Sequence, residues 1–352
     1  MGNVFDKLDR VSLSDRVLLL THVDMDAAGA EILSRLTFKD LTVKNLSNNE
    51  MSKGILSAVI EEAELGYYDK HDIIIVNDIS CNMDDAEEID KILKETGISL
   101  VLLDHHDTAL GLNKFKWALV KPDMFKESCI ADKYDPEIIE KAHSSGASLM
   151  YDYLVINDIM ERTPFLDELI HIIAAYDTWD WHDLLGENER YSSMDKLCDI
   201  YGLDDFVDEM YSRSLECYTA EEVFNSKDIY KLEKHKKKVD EYLESIKDNF
   251  VESTLTFEND EYNIAWCFTS SYLQETFMLM KEMLPNKDLY IIDFGNGVSL
   301  RTDNPYMHVG MFASQRYGGG GHPGAAGFGL TQEVKRKCLE IIMGGTIENV
   351  EK

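Results

Sequence analysis

The sequence predicts an α/β protein of two domains: a doubly wound parallel sheet first, then a helical linker and a smaller α/β domain. Three observations carry that expectation. Short apolar runs alternate with amphipathic stretches through the first half, the βαβ rhythm of a parallel sheet covered on both faces. Strand signals vanish over residues 181–250 and return after Val251. A chain of 352 residues also exceeds the roughly 100–200 of one ordinary domain.

The elements follow in order. Arg16–Thr21, Leu41–Leu46, Asp72–Val76 and Ser99–Leu103 read as buried strands, with Ala27–Phe38, Met51–Leu65 and Asp84–Glu95 carrying helical periodicity between them. From Pro136 to Tyr176 the pattern turns helical, with Thr163-Pro164 as a helix start. These residues, 1–180, form the first expected domain. Residues 181–250 read as acidic linker helices whose one dense basic cluster, Lys234-His235-Lys236-Lys237-Lys238, has Glu233, Asp240 and Glu241 beside it. That cluster reads as a solvated helix face, with a small electrostatic guide for a phosphate-bearing ligand as the functional alternative. Residues 251–352 supply the second domain, with strands at Ser253–Phe257, Tyr262–Phe268, Leu289–Phe294 and Val298–Arg301 and helices at Gln274–Met283 and Thr331–Met343.

Composition narrows the function. Hydrophobic residues at 44%, charged residues at 29% and 6 prolines mark a folded globular chain. No apolar run approaches the roughly 20 residues of a membrane-spanning helix. The opening Met1-Gly2-Asn3-Val4-Phe5-Asp6 lacks a secretion signal, and Asp6 stands where myristoylation wants Ser or Thr, so a cytoplasmic protein is expected. The 6 cysteines form no C-x-x-C pair, which argues against a zinc ribbon or disulfide framework. The net charge of −31 repels long polyanions, so binding to long duplex DNA is not expected, yet it suits hard divalent cations.

The chemistry sits after the strands of the first half. His22, Asp24 and Asp26 follow the first strand, Asp78 follows the third, and Asp104, His105 and His106 follow the fourth. Parallel strands end on one edge, so three clusters of metal-type side chains converge on one rim. A single aspartate there reads as a helix N-cap; three coincidences, two containing histidine, read as a site. Imidazole and carboxylate without thiolate favour Mn²⁺, with Mg²⁺, Co²⁺ or Fe²⁺ as alternatives. A pair of divalent ions needs further ligands, and Asp177, in Tyr176-Asp177-Thr178-Trp179, is the best candidate for the missing one. Tyr176, Trp179 and Trp181 read as core aromatics at a helix end in preference to base-stacking groups. The run Gly318-Gly319-Gly320-Gly321 lacks every Cβ, so its N–H groups can approach an anion closely. His322 and Arg301 add side-chain donors suited to phosphate.

Together His22-x-Asp24-x-Asp26, Asp78, Asp104-His105-His106 and Asp177 resemble the four successive motifs of the DHH phosphoesterase superfamily. Ser299-Leu300-Arg301 and Gly318–Gly327 resemble the DHHA1 substrate-binding domain that accompanies it. The resemblance spans residues 15–330 and departs at Ala27-Ala28, where many relatives carry glycine directly after the second aspartate; residues 181–250 match none of its motifs. It implies two divalent metal ions, the first held by His22, Asp24 and Asp78, the second by Asp26, Asp78, His105 and Asp177, with Asp78 bridging and hydroxide attacking phosphorus. Asp104 and His106 would support the phosphate or leaving oxygen, while Arg301, Gly319, Gly320, Gly321 and His322 bind the nucleotide. The expected activity is that of bacterial nano-RNases, cutting short oligoribonucleotides or dinucleotides to nucleoside monophosphates. Alternatives are cyclic-dinucleotide-derived dinucleotides, a 3′-phosphorylated adenosine phosphate, or single-stranded DNA as an exonuclease substrate. A pyrophosphatase is disfavoured by motif spacing, and a non-catalytic scaffold by the complete ligand set; the sequence is compatible with a homodimer.

Overall fold

The computed structural model describes residues 3–47, 51–66, 69–186, 188–257, 260–321 and 323–343. The chain divides into two compact units, Met1–Leu232 and Glu233–Lys352.

In the first unit, β1 (Arg16–Thr21), β2 (Asp40–Asn45), β3 (Ile73–Asn77), β4 (Ser99–Asp104) and β5 (Ala118–Val120) pair in parallel in the order β2-β1-β3-β4-β5. The helices are α1 (Met25–Thr37), α2 (Met51–Glu64), α3 (Met83–Thr96), α4 (Gly146–Ile156), α5 (Pro164–Asp177), α6 (Asp180–Asp183), α7 (Glu189–Tyr201) and α8 (Leu203–Glu216); the division between the units falls within α9 (Ser226–Ile246). β1, β3, β4 and β5 are mostly apolar runs because both faces of the sheet are covered; β2, DLTVKN, lies at the edge and is only partly covered, so the expectation of a buried strand there is corrected. Val17, Leu19, Ile73, Ile75, Val101 and Leu103 join one core with α1, α4 and α5. Leu18, Leu20, Ile74, Val76, Leu100 and Leu102 join the other with α2 and α3. The α/β, doubly wound reading is therefore the observed architecture.

Local signals explain the helix boundaries. Asn82 caps α3 by accepting from Asp85 N, and Gly97 ends it in the left-handed conformation at φ 70. Thr163 caps α5 with Pro164 in its first turn. Residues 136–145 depart from the expected helical stretch: they hold only a short 3-10 turn at Ile139–Lys141, and the α-helix begins where Ser145 and Ser148 form a capping box. β5 was not expected, since three residues are too few to display a period. Helices α7 and α8 pack within the first unit, where Met194, Leu197, Phe206, Val207 and Met210 enter the α1/α5 core.

The second unit contains β6 (Val251–Phe257), β7 (Asp260–Phe268), α10 (Leu273–Met283), β8 (Leu289–Asp293), β9 (Gly297–Arg301), α11 (Val309–Tyr317), β10 (Gly320–Gly321), β11 (Ala325–Gly329) and α12 (Gln332–Met343). Its sheet runs β10-β11-β9-β8-β7-β6, antiparallel except between β7 and β8. One face packs Ile264, Leu300 and Ala326 under α11, and the other packs Ala265, Tyr290 and Ile292 under α10. Among the described residues no helix is long and apolar enough to cross a membrane.

Candidate functional site

The strand order of the first sheet reverses between β1 and β3, and the crevice beyond the carboxyl ends at such a reversal is where doubly wound folds hold ligands. The motif residues gather there. One donor atom from each of His22, Asp24 and Asp78 lies within 4.8 Å of the others; the same holds for Asp26, His105 and Asp177, and for Asp78, Asp104, His105 and His106. Asp78 and His105 each belong to two groups, so the clusters form one connected rim.

Each side chain is positioned by its own element. Asp24 uses Oδ1 to cap α1, accepting from Ala27 N at 3.0 Å, while its Oδ2 lies 2.5 Å from His22 Nδ1. The capping and ligand readings thus coexist in one carboxylate. His22 Nε2 is buried without a partner. Asp26, in the first turn of α1 and 2% exposed, accepts from Ala147 N at 3.1 and 3.2 Å. Asp78 adopts φ 61, a left-handed conformation that costs a non-glycine residue energy and is concentrated at functional sites. His105 Nε2 lies 3.2 Å from Asp78 Oδ1 and 3.4 Å from Asp177 Oδ2. Asp104 Oδ1 accepts from His105 N at 2.8 Å and His106 N at 3.3 Å and lies 2.7 Å from His106 Nδ1, while its buried Oδ2 has no partner.

The electrostatics of the rim call for positive charge. Burial, then the neighbouring Asp26, Asp24 and Asp104, pushes Asp78 well above the ordinary carboxylate range. Asp26 is raised by burial and by Asp24, against the pull of His105. Asp177 keeps 24% of its side chain exposed, but its carboxylate head is desolvated against the cluster; burial and Asp26 raise it well above its usual value. Asp104 goes the other way: burial opposes ionisation, but the hydrogen bond and charge of His106 and the charge of His105 outweigh it and hold its pKa down. Crowded oxygen and imidazole donors, an orphaned His22 Nε2 and an orphaned Asp104 Oδ2 fit a divalent cation.

Sequence reasoning missed the residues that support this rim. A Cβ on Gly146 would meet Asp78 Cβ at 2.5 Å and Asp26 Oδ2 at 2.7 Å, so only glycine fits where α4 begins. Asn77 Nδ2 donates to Gly146 O at 2.9 Å, tying β3 to that turn. The sole signal was the small-residue run Ser144-Ser145-Gly146-Ala147-Ser148, which carries no metal chemistry. The aromatics also divide. Tyr176 and Trp181 stack at 6.0 Å and pack against the core, but Trp179 is 48% exposed, contrary to its expected place in the core. Its φ of 68 turns the chain between α5 and α6 and carries the indole outward.

In the second unit, Arg301 ends β9 with Nη1 donating to Ser299 Oγ at 2.7 Å and Leu300 O at 3.0 Å. The glycine run is largely structured. Gly318 ends α11 at φ 65, and Gly320–Gly321 pair with Ala326 and Gly327. A Cβ on Gly319 would lie 2.2 Å from Gly327 O and one on Gly321 2.4 Å from Ala325 O, whereas Gly320 faces open space. Two of the three glycines thus permit close strand approach. His322 lies outside the described residues.

No family model matches the chain. It is 29% identical over 323 residues to the oligoribonuclease NrnB of Bacillus subtilis, covering 90% of this chain and 73% of that protein. It is 23% identical over 344 residues to a 3′,5′-cyclic-nucleotide phosphodiesterase of Helicobacter pylori, covering 89% and 92%. Among solved structures, a pGpG-specific phosphodiesterase from Vibrio cholerae aligns at TM-score 0.47 and 12% identity, covering 93% of this chain and 98% of that one. With its strand-end motifs gathered on one rim, this chain resembles the DHH phosphoesterase superfamily and is similar, along nine-tenths of its own length, to a curated oligoribonuclease.

Proposed function

We propose that this chain is a dinuclear-metal phosphodiesterase that hydrolyses short oligoribonucleotides to nucleoside monophosphates, its first unit cutting and its second holding the nucleotide. The observation that carries the reading is the sharing of Asp78 and His105 between donor groups, which offers room for two neighbouring cations. His22, Asp24 and Asp78 would hold one; Asp26, Asp78, His105 and Asp177 the other, with Mn²⁺ the best fit to this oxygen and imidazole set. Such ions supply a lowered pKa for bound water and neutralise charge on phosphoryl oxygens.

The chain's own residues do the rest. Ala147 N fixes Asp26, and the turn at Gly146 lets Asp26 and Asp78 approach one backbone. Asp104 holds His106 through Nδ1, which leaves Nε2 of this half-exposed ring for a substrate phosphate. Arg301 and the N–H groups around Gly320 hold a terminal phosphate or nucleotide, together with His322. A net charge of −31 favours short substrates over long polyanions, in keeping with the names of the oligoribonuclease and phosphodiesterase relatives.

The test incubates metal-stripped protein with Mn²⁺ and a panel of ribodinucleotides, longer RNA, single-stranded DNA, cyclic dinucleotides, a 3′-phosphorylated adenosine phosphate and pyrophosphate. Fastest loss of the ribodinucleotides, strictly dependent on added metal, is the expected result. Degradation of long DNA ahead of all others, or of pyrophosphate alone, overturns the substrate assignment.

A further inference from the structure

One histidine on the rim side of the first unit belongs to none of the donor groups. His143 precedes α4, and the aspartate that holds it, Asp180, opens α6. Asp180 is 1% exposed and gives both carboxylate oxygens to this one residue: Oδ2 accepts the backbone N–H of His143 at 2.8 Å, and Oδ1 lies 2.7 Å from its Nδ1. A carboxylate on Nδ1 sets the tautomer and leaves Nε2 as the working nitrogen. The ring keeps 50% of its surface exposed, so Nε2 can meet a ligand.

Both members of this pair are tethered to the cluster. Gly146, three residues after His143, abuts Asp78 and Asp26. Asp180 lies three residues after Asp177. Three residues of extended chain span at most roughly 11 Å, which keeps the imidazole within a dinucleotide's reach of the rim. Asp107, the residue after His106, is among the charges that act on the ring.

We propose that His143, oriented by Asp180, gives a proton to the leaving oxygen of the phosphoester cut at the Asp78 rim. The inference rests on the phosphodiesterase reading above. His106 shares a donor group with Asp78, Asp104 and His105; His143 stands outside every such group and stays free to carry a proton. The Asp180 hydrogen bond, assisted by the charges of Asp123 and Asp107 and opposed by burial, raises its pKa, which favours the imidazolium. In the step, a water oxygen adds to phosphorus and the bond from phosphorus to the leaving nucleoside oxygen breaks. That oxygen takes the proton from Nε2, and the proton shed by the attacking water passes to solvent, from which His143 is recharged. Phosphodiester and water thus become phosphomonoester and alcohol.

The experiment compares wild type, His143→Gln and Asp180→Asn on the p-nitrophenyl and phenyl esters of a nucleoside 5′-phosphate and on a ribodinucleotide. p-Nitrophenolate departs without a proton; phenolate and alkoxide need one. His143→Gln should lower kcat on the phenyl ester and dinucleotide by about 10²–10⁴-fold, and on the p-nitrophenyl ester by about tenfold at most. Asp180→Asn, removing a positioning residue, should give the same pattern with smaller losses. Melting curves and Mn²⁺ binding isotherms matching wild type separate this from misfolding or metal loss. Equal losses on both aryl esters, or no loss, overturn the proposal. A wild type that cuts the aryl esters but no dinucleotide overturns the substrate reading while the His143 comparison still decides its role; one inert toward all three overturns both.

Discussion

The rim of the first unit and the glycine strands of the second are built in opposite ways, which on the proposed reading are two solutions to handling phosphate. At the rim, Asp24, Asp26, Asp78 and Asp177 are brought together against their own repulsion, and three of them are raised in pKa by burial and by one another. Around β10 there is almost no side chain at all: Gly319 and Gly321 allow two strands to approach, and Arg301 supplies the nearby strand-end cation. The first arrangement depends on backbone placed to within a methyl group; the second depends on the lack of one. On the proposed reading, changes at the rim should reach turnover, and changes in the second unit should reach binding.

Asp78→Asn tests this contrast hardest. Asparagine tolerates the left-handed φ of 61 but loses the charge shared by two donor groups. Turnover should fall by at least the roughly 10²–10³-fold that removal of one preorganised electrostatic group costs. The metal-free variant should nonetheless melt higher than metal-free wild type, by about 0.5–2 kcal/mol of stability, since a repelled buried carboxylate is gone. Calorimetry with and without Mn²⁺ reads both signs; a variant that loses activity and stability together would mean that the rim is not electrostatically strained.

Gly146→Ala breaks the same rim without touching a donor. The added Cβ must displace Asp78 or Asp26, and a shift of about 1 Å costs on the order of 10²-fold in rate, with overpacking costing about 1–3 kcal/mol. Measured kcat should fall while the fold, checked by circular dichroism, persists; unchanged kcat would show that the turn before α4 does not hold the site.

What the sequence made legible follows from the same contrast. β1, β3 and β4 are short apolar runs followed by metal-type residues, so both the strands and the chemistry after them could be read. Gly146 and Ala147 could not, because their contribution is an absent side chain and a backbone N–H. β10 and β11 were equally hidden: a stretch of glycine and alanine has no strand propensity, and only its pairing with β9 makes it a sheet edge. Asp180 carries no signal in the sequence, because its partner His143 lies 37 positions away.

Arg301→Ala sharpens the comparison from the other side. Losing a charged hydrogen bond to phosphate costs about 1.5–3 kcal/mol, which is roughly 10–200-fold in KM for a dinucleotide carrying a terminal phosphate. kcat should change little, and a substrate without that phosphate should lose much less. A drop in kcat at constant KM would assign Arg301 to the chemical step and erase the division between the two units.

The smallest effect separates carboxylates buried for chemistry from one buried for the fold. Asp152 in α4 is 1% exposed; its Oδ1 accepts from Cys129 N at 2.6 Å and its Oδ2 is buried without a partner. Burial pushes its pKa up to about 7. The sign follows from linkage: above about pH 4 the unfolded chain ionises this group while the folded protein keeps it protonated, so its contribution to stability declines as pH rises toward 7 and stays lost beyond. Asp152→Asn keeps the acceptor for Cys129 and removes the ionisation. Relative to wild type it should melt higher at pH 8 than it does at pH 5, by about 2–4 °C for each 1 kcal/mol recovered in a unit of this size. Turnover at the rim should be untouched. A difference in melting temperature that is flat between the two pH values would place the ionised carboxylate in the folded core after all, and the distinction between strained rim and quiet interior would have to be drawn elsewhere.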